Sequence, residues 1–377
     1  MTLQRLRICV VGAGIAGLAC ALAAARQGMV VQLVDEAASP RHLPASIDVV
    51  PGMLRDLARL GVADDCVRAG FAYHGIDVLD RQGRRLFELP TERLAGPRWP
   101  AALGIPHGEL HALLARAAQQ AGAELLRGQH VAAIEEDGAG CARVMLAGDR
   151  RLDADLVLLA TGARSPLRAA LFPKARAVEP LGQVWRYALV RRPQRLDRPL
   201  VAIGGPGRRA VLLPVQLDVA GVAVTEPASA PAGATPAAPA AQLRHALQVF
   251  APAVSELAAH IHDDTPVATR PVLSGVLDGP WHRGPVLAVG DGAHALPPHF
   301  GQAAAQSVED ACVLADLLPA ARDRNTLFRD FEQRRIARAR QVHEIASTAA
   351  RWDLRPDSAA DIGELMQRLM RTVAQPA

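Results

Sequence analysis

The stretch RICVVGAGIAGLACALAAARQGMVVQLVD, residues 7–35, decides the fold of this chain. Ile8 to Val11 is a continuous apolar run, which is typical of a strand with both faces buried in a parallel sheet. Gly12, Gly14 and Gly17 follow in the spacing G-x-G-x-x-G. The first glycine permits a tight turn, the second lets the backbone approach a pyrophosphate, and the third lets helix and strand pack closely. The stretch therefore predicts a strand, a phosphate-binding turn, a helix and a second strand.

A helix and an acid complete this dinucleotide-binding pattern. Apolar residues between Leu18 and Ala25 recur at i, i+3, i+4 and i+7, and predict an amphipathic helix whose N-terminal amides point at the phosphates. Asp35 lies 18 residues after Gly17, at the end of the second strand, where its carboxylate can accept hydrogen bonds from both ribose hydroxyls. An acid at this position favours FAD or NAD over NADP.

Composition bounds the class of protein. A chain of 377 residues, 50% hydrophobic and 21% charged, is typical of a soluble globular protein with two domains. A net charge of +4 and an aromatic share of 3% argue against nucleic-acid binding. We expect no transmembrane segment and no signal peptide, since residues 1–7 lead directly into the first strand. The five cysteines lack metal-ligand spacing, so we expect no metal site and buried thiols in a reducing cytoplasm.

Downstream, α/β segments alternate with β-rich ones. Two strand patterns, 75–79 and 85–89, predict a hairpin. Residues 184–224 show strand patterns without a helical period, so they predict a second, antiparallel domain. The Pro/Ala-rich segment 226–241 predicts a surface loop. The remaining predicted elements are helices over 53–60, 107–120, 241–250, 302–318, 326–350 and 361–373, and strands over 46–50, 131–134, 143–146, 153–159, 267–277 and 286–289.

A second motif, VLAVGDGAHALPPHFGQAAAQSVEDA, covers residues 286–311. It resembles the FAD-dependent aromatic hydroxylases, the single-component flavoprotein monooxygenases typified by para-hydroxybenzoate hydroxylase. Their motif is G-D-A-x-H, then P, G-Q-G and a helix with E-D-A. The matching residues are Gly290, Asp291, His294, Pro298, Gly301, Gln302, Glu309, Asp310 and Ala311. The resemblance extends from Arg7 to about Arg340 and implies an α/β fold, in which a Rossmann-type FAD-binding domain carries an inserted antiparallel β-sheet substrate domain and C-terminal helices.

We divide the chain accordingly. The FAD-binding domain is expected in three parts, residues 1–73, 99–177 and 276–340. The substrate domain is expected to take the hairpin within residues 74–98 and the segment 178–275. Residues 341–377 are expected to form C-terminal helices, the last of which we expect to dock on its own domain.

The resemblance also implies which residues bind the cofactor. Asp291 is expected to accept hydrogen bonds from ribitol hydroxyls. The helix that begins near Gly301 is expected to point its amides at the pyrimidine end of the isoalloxazine, where its dipole is worth about 0.3–2 kcal/mol toward an anionic reduced flavin. The full set of expected FAD-binding residues is Gly12, Gly14, Ala16, Gly17, Asp35, Glu36, Arg41, His107, Val131, Thr161, Gly162, Asp291, Pro298, Gly301, Gln302 and Ala303.

Four of these positions depart from the family pattern. Asp35 stands for the usual glutamate, and His107 stands for an arginine, so it cannot bind a phosphate bidentately. Thr161 replaces the acid of the middle motif A-D-G-x-x-S, and Ala303 replaces the last glycine of G-Q-G. FAD binding is still expected, while Thr161 and Ala303 weaken the expectation of efficient reduction by a nicotinamide.

By resemblance, NADH or NADPH reduces the FAD, oxygen adds at the flavin C4a carbon, and the resulting hydroperoxide hydroxylates a small aromatic or heteroaromatic substrate. The low charge of the expected pocket segments hints at an apolar, quinolone- or quinone-like compound. Two alternatives stay open: an FAD-dependent oxidoreductase that does not hydroxylate, and a flavin-binding protein without turnover. The expected partners are the aromatic substrate and oxygen, with no nucleic acid, and a homodimer is left open.

Three residues are candidates for catalysis. Asp48 lies between Ile and Val in a strand whose family counterpart faces the isoalloxazine, and it is either a buried base or a local cap or ion-pair partner, for example of Arg41. Arg186 either orients an oxyanion or is a solvated strand residue. His299, like His294, either lines the pocket or is a hydrogen-bonded structural histidine.

Overall fold

The fold is described by a computed structural model over residues 5–40, 43–148, 150–176, 178–228, 238–356 and 361–377. Arg41, and residues 229–237 of the predicted Pro/Ala-rich loop, lie outside the described residues. The strands are β1 (Arg7–Val11), β2 (Val30–Asp35), β3 (Ser46–Val49), β4 (Phe71–Tyr73), β5 (Ile76–Leu79), β6 (Arg85–Leu89), β7 (Ala102–Pro106), β8 (Glu124–Arg127), β9 (Val131–Glu136), β10 (Ala142–Leu146), β11 (Arg151–Ala154), β12 (Leu156–Leu159), β13 (Glu179–Arg191), β14 (Leu200–Gly205), β15 (Arg208–Pro214), β16 (Val219–Pro227), β17 (Ala268–Val276), β18 (His282–Arg283), β19 (Val286–Ala288) and β20 (His294–Ala295). The helices are α1 (Ile15–Arg26), α2 (Pro51–Arg59), α3 (Ala63–Ala69), α4 (His107–Gln120), α5 (Pro166–Leu171), α6 (Pro239–Leu247), α7 (Pro252–Ser255), α8 (Gln302–Leu317), α9 (Arg324–Leu354) and α10 (Ile362–Ala374).

A six-stranded sheet in the order β18-β19-β12-β1-β2-β8 forms one layer, and it is parallel except at the edge strand β18. Alternation of side chains along β1 decides what covers each face. Ile8 and Val10 share a core with α1, α4 and α8, whereas Cys9 and Val11 share one with the three-stranded sheet β11-β10-β9. Both faces of β1 are therefore buried, as its continuous apolar run predicted.

A second, eight-stranded sheet has the order β20-β17-β13-β16-β15-β14-β5-β6 and is antiparallel except where β14 meets β5. Its outer face packs against α6 and α7, through residues such as Ala202 and Leu212. Its inner face, which includes Val201, Ile203 and Val211, lines a cavity. The hairpin predicted over 75–89 is confirmed as β5 and β6, and it extends this sheet.

The segment predicted as one strand over 153–159 is two strands in different sheets. β11 ends at Ala154 and pairs with β10, whereas β12 begins at Leu156 and pairs with β1. Asp155 lies between them and accepts hydrogen bonds from the backbone N–H (2.7 Å) and the guanidinium (2.7 Å) of Arg7. This contact fixes the point where the chain passes from one sheet to the other.

Two helices close the chain. α9 is 31 residues long, and α10 packs on it through Leu365, Leu369 and Val373, which contact the cluster around Val342 and Ile345. The predicted docking of the last helix on its own domain is therefore what the structure shows. In the described part of the chain, no helix is both long and apolar enough to cross a membrane.

Candidate active site

The turn between β1 and α1 has the geometry of a phosphate cradle. A Cβ at Gly17 would lie 1.8 Å from the carbonyl oxygen of Gly12, so only glycine fits there. A Cβ at Gly14 would meet no heavy atom of the described chain within 4 Å, which leaves open space beside the backbone. α1 begins after Gly14 with no side-chain cap, so its first amides are free to receive an anion.

Asp35 is fixed beside this turn. Its Oδ2 accepts a hydrogen bond from the Ala13 amide (2.7 Å) and its Oδ1 from the Ala37 amide (2.8 Å). Each carboxylate oxygen keeps a second lone pair for a ribose hydroxyl. The next residue, Glu36, is exposed at the surface and lies 3.6 Å from Nδ1 of His130. Val131 is buried at the start of β9.

His107 and Thr161 approach the same turn from other elements. His107 is the first residue of α4, and its ring stacks on His111, which bonds the carbonyl oxygen of Ala13 at 2.8 Å. Thr161 follows β12, and its buried Oγ1 has no hydrogen-bond partner among the described residues. A buried hydroxyl without a partner is costly, so it fits a bound acceptor such as a phosphate. Gly162, with φ +83°, has open space around its Cα.

The second motif forms the other end of the site. Phe300 and Gly301 both have φ near +65°, and Phe300 is the only non-glycine residue with positive φ in the described ranges. Such strain is typical of functional sites. The turn ends in α8, whose start carries no side-chain cap. Asp291 opens onto the cavity, although the surrounding protein desolvates it and raises the pKa of its carboxyl.

These features fit FAD. The helices α1 and α8, which both begin without a side-chain cap, share one core. The two motifs are adjacent, since a Cβ at Gly290 would lie 2.6 Å from the Cβ of Ala16. Asp35 and Asp291 supply carboxylates at the two ends of the site. Thr161, with its hydroxyl unpaired in the described chain, follows β12, which lies between β1 and β19 in the sheet, so it lies between the two motifs. The added methyl of Ala303 packs against the cluster formed by α9 and α10, which accounts for that departure from G-Q-G.

The E-D-A part of the motif has a structural role that the sequence did not reveal. Asp310 accepts hydrogen bonds from the amide of Gly290 (2.8 Å), Nε2 of His294 (2.9 Å) and Nε of Arg335 (2.7 Å). Burial alone would raise the pKa of Asp310, but its interactions with His294, Arg335 and the Gly290 amide outweigh the desolvation and hold the pKa at about 2. His294 is fully buried in this network and is not among the residues that line the cavity, so the structure favours the structural alternative for it.

A cavity of about 940 Å³ lies between the start of α8, the inner face of the eight-stranded sheet and α10. Its polar groups at the α8 end include Asp48, Tyr73, Asp291 and His299. Most of the remaining wall is apolar, and includes Val78, Leu86, Phe87, Val201, Ile203, Val211, Leu213, Ala223, Val272, Leu296, Met366, Leu369 and Met370.

Asp48 lies at the polar end of this cavity, beside the turn at Phe300 and Gly301, which we call the flavin-side turn. Its Oδ1 accepts a hydrogen bond from the Tyr73 hydroxyl at 2.5 Å, and its Oδ2 would lie 3.5 Å from a Cβ at Gly301. Desolvation raises the pKa of Asp48 to about 6, partly offset by the Tyr73 hydrogen bond. The carboxyl therefore titrates at about pH 6, above the usual range of an aspartate.

This pKa predicts how stability depends on pH. Because the pKa of Asp48 is raised to about 6 in the folded protein, the folded state holds a proton that the unfolded state releases, and stability falls as pH rises from about 4 to about 6. Asparagine can accept the same hydrogen bond without a charge. We expect FAD-free Asp48→Asn to exceed the parent in unfolding free energy by on the order of 1–3 kcal/mol at pH 8, with little difference near pH 4.

Urea unfolding at both pH values measures this difference. Asp197→Asn, at a carboxylate with 70% of its side chain exposed, is the control and should show no such change. An Asp48→Asn effect of equal size at both pH values would contradict a raised pKa.

His299 also lines the cavity, but neither of its ring nitrogens is available to a ligand there. Nε2 bonds Oδ2 of Asp353 at 2.9 Å, and Asp353 is bound bidentately by Arg209 at 2.7 and 2.9 Å. Nδ1 is buried and has no partner among the described residues. Burial lowers the pKa of His299, whereas Arg209 and His299 hold the pKa of Asp353 at about 2. This triad links the flavin-side turn, the end of α9 and strand β15.

The structure does not bring Arg186 to the cavity. Trp185 lines the cavity, and alternation along β13 turns Arg186 to the opposite face, where it bonds Gln242 of α6 (2.9 Å) and pairs with Glu226. Sequence reasoning also missed the partners that now define the candidates: Tyr73, Arg209 and Asp353. Each lies far along the chain from the group it binds, and no local pattern marks it.

Comparisons with known proteins identify the family of the chain. The family model described as FAD binding domain matches residues 5–346. The chain is 28% identical over 359 residues to 2-heptyl-3-hydroxy-4(1H)-quinolone synthase of Pseudomonas aeruginosa, covering 91% of this chain and 89% of that protein. It is 28% identical over 371 residues to 6-hydroxynicotinate 3-monooxygenase of Bordetella bronchiseptica, covering 93% and 94%.

A solved structure shares the fold. Klebsiella pneumoniae HpxO, complexed with FAD and uric acid, superposes with a TM-score of 0.82 at 22% identity, over 98% of this chain and 92% of that one. The family model covers most of the chain. The chain belongs to the FAD-binding family of single-component flavoprotein monooxygenases, the FAD-dependent aromatic hydroxylases.

Proposed function

We propose that this protein uses FAD, NAD(P)H and oxygen to hydroxylate an uncharged, largely apolar aromatic or heteroaromatic compound. The observation that carries the proposal is the cavity itself, whose polar end at Asp48 and Tyr73 adjoins Gly301 and whose other walls are mostly apolar. FAD supplies the oxygen chemistry when it is bound and reduced. The protein binds the ring against the flavin-side turn and excludes water with the sheet and α10.

The residues present assign parts of the nucleotide to parts of the chain. The uncapped start of α1 and Thr161 would hold the pyrophosphate, and Asp35 the adenosine ribose. Asp291 would hold ribitol hydroxyls, and the start of α8 after Gly301 would face the isoalloxazine. In this proposal Glu36, His107 and Val131 flank the adenosine end, and Gly162 lies with Thr161 at the pyrophosphate. Pro298, Gln302 and Ala303, which line the cavity beside Gly301, flank the flavin.

Charge along the cavity argues against a carboxylate substrate. Arg55 is bound to Asp56 at 2.9 Å, and Arg209 is bound to Asp353, so neither offers an unneutralised cation. The third arginine of the lining, Arg270, is exposed to solvent on β17, where water screens its charge. The two relatives at 28% identity are named for a neutral quinolone and for a pyridine carboxylate, so identity alone does not choose between these classes. The cavity favours the neutral, quinolone-like class.

A substrate panel tests this choice. We expect neutral heteroaromatics with a ring hydroxyl or N–H group to stimulate NAD(P)H oxidation. Their ring-carboxylate analogues should have a kcat/KM at least about tenfold lower, because burying a carboxylate without a cation costs more than about 1.4 kcal/mol. Arg270→Ala should leave this preference unchanged. A preference for carboxylates that disappears in Arg270→Ala would contradict the charge argument.

The alternative of an oxidoreductase without hydroxylation rests on Thr161, which lacks the acid of the family motif, and on Ala303, which replaces the last glycine of G-Q-G. The same panel separates it: flavin reduction without an oxygenated product selects the oxidoreductase, and no reduction by either nicotinamide selects a flavin-binding protein without turnover. We place the protein in a reducing cytoplasm, which its five free cysteines support.

A further inference from the structure

Two residues with side chains that can accept a proton, Asp48 and His299, line the cavity, and their surroundings differ. For His299, Nε2 is taken by Asp353 and Nδ1 is buried from solvent. For Asp48, Oδ1 accepts the hydrogen bond from Tyr73. Oδ2 makes no hydrogen bond with the described residues, and it is not buried from solvent. Oδ2 is therefore the acceptor that a ligand in the cavity can reach.

Strand order explains how Tyr73 reaches Asp48. β3 and β4 flank β7 in a three-stranded sheet, with Asp48 opposite Gly104 and Tyr73 opposite Ala102. Gly104 and Ala102 lie on the same face of β7, two residues apart. Because both are small, the Tyr73 side chain can cross β7 and donate its hydroxyl proton to Asp48.

We infer that Asp48 is the catalytic base that removes the proton of a ring hydroxyl or ring N–H, and that Tyr73 is the positioning residue that holds it. The inference rests on the proposed hydroxylation. The O–H or N–H bond of the substrate breaks, its proton goes to Oδ2 of Asp48, and the electron pair left behind enters the ring. The ring carbon thereby becomes a better nucleophile toward oxygen transfer, and the carboxyl returns its proton to solvent when product leaves.

Tyr73 has a second effect, on the pH range of the base. Its hydrogen bond stabilises the carboxylate and opposes the desolvation that raises the pKa of Asp48. Without the hydroxyl, the pKa of Asp48 rises further, and a larger fraction of the carboxyl is protonated at pH 6. β7 contributes no titratable side chain. The other charged or titratable groups that line the cavity in the described part of the chain are Arg55, Asp56, Glu92, Arg209, Arg270, Asp291, His299 and Glu309.

The variants Asp48→Asn and Tyr73→Phe test the inference in the FAD-loaded protein. Asp48→Asn should lower the hydroxylation rate about 10²–10⁴-fold, the range for loss of a general base. Tyr73→Phe should move the acidic limb of the kcat profile to higher pH, with a large loss at pH 6 and a small one at pH 8. The matched control is Tyr187→Phe, at the other tyrosine of the chain, which packs on Trp185 and is not among the lining residues.

A binding measurement separates this inference from the proposed function. The ultraviolet difference spectrum of a bound phenol or hydroxyheteroaromatic reports its ionisation without turnover. We expect an ionised ring with the parent at pH 8 and a neutral ring with Asp48→Asn. Hydroxylation by Asp48→Asn within twofold of the parent, or a Tyr73→Phe loss that is equal at all pH values, would overturn the inference. A parent protein that makes no oxygenated product would overturn the proposed function instead.

Discussion

Arg335→Met is expected to lower the free energy of unfolding by about 3–5 kcal/mol. The guanidinium is fully buried, donates to Asp310 at 2.7 Å and to the Gln306 carbonyl oxygen at 3.1 Å, and pairs with Glu309. Its removal takes from two buried carboxylates the cation that they share. Asp310 keeps His294 as a partner, and Glu309 keeps Arg338 and, at 3.5 Å, Arg55. Desolvated charge without a partner is the reason for so large an effect.

Arg329→Met is the matched control. Arg329 pairs with Asp330 on the surface, with 69% of its side chain exposed, and such pairs contribute about 0–1 kcal/mol. Urea unfolding of both variants, with and without FAD, gives the two differences. A loss below about 1 kcal/mol for Arg335→Met would mean that the network does not stabilise the folded chain.

Gly14→Val is expected to weaken FAD binding roughly 5- to 150-fold or more while the protein still folds. A Cβ at this position would meet no heavy atom of the described chain within 4 Å, and the backbone conformation, with φ −72°, is one that other residues adopt. The space that it fills is the space that the pyrophosphate needs. Overpacking of this kind costs about 1–3 kcal/mol, which sets the expected range.

The control for this variant is Gly138→Val, at an exposed glycine that also has open space and no positive φ. Titration of each FAD-free variant with FAD, followed by flavin fluorescence, measures the affinities, and far-ultraviolet circular dichroism checks that both are folded. Unchanged FAD affinity in Gly14→Val would contradict the assignment of this turn to the nucleotide site.

Sequence alone was sufficient for elements that carry their own local signal. The glycine spacing predicted the turn with its tight Gly12–Gly17 approach, and the apolar run predicted that both faces of β1 are buried. The motif around Asp291 and Gly301 predicted a strand end and an uncapped helix start. In each case the residues that make the signal are neighbours in the chain.

Contacts that depend on the phase or pairing of strands could not be predicted. Trp185 and Arg186 are adjacent, and only the register of β13 decides which of them faces the cavity. Tyr73 and Asp48 meet across β7, whose strand pattern was not recognised because it is short and apolar throughout. Asp353 meets His299 only because α9 runs to Leu354, beyond the end predicted at residue 350.

The most direct test of the account is a single turnover of the FAD-loaded protein with NAD(P)H, a neutral hydroxylated heteroaromatic and ¹⁸O₂, followed by mass spectrometry of the product. The account predicts one ¹⁸O atom in the ring of the product for each NAD(P)H oxidised. Oxidation of NAD(P)H with no ¹⁸O in any aromatic compound, across the whole substrate panel, would contradict it.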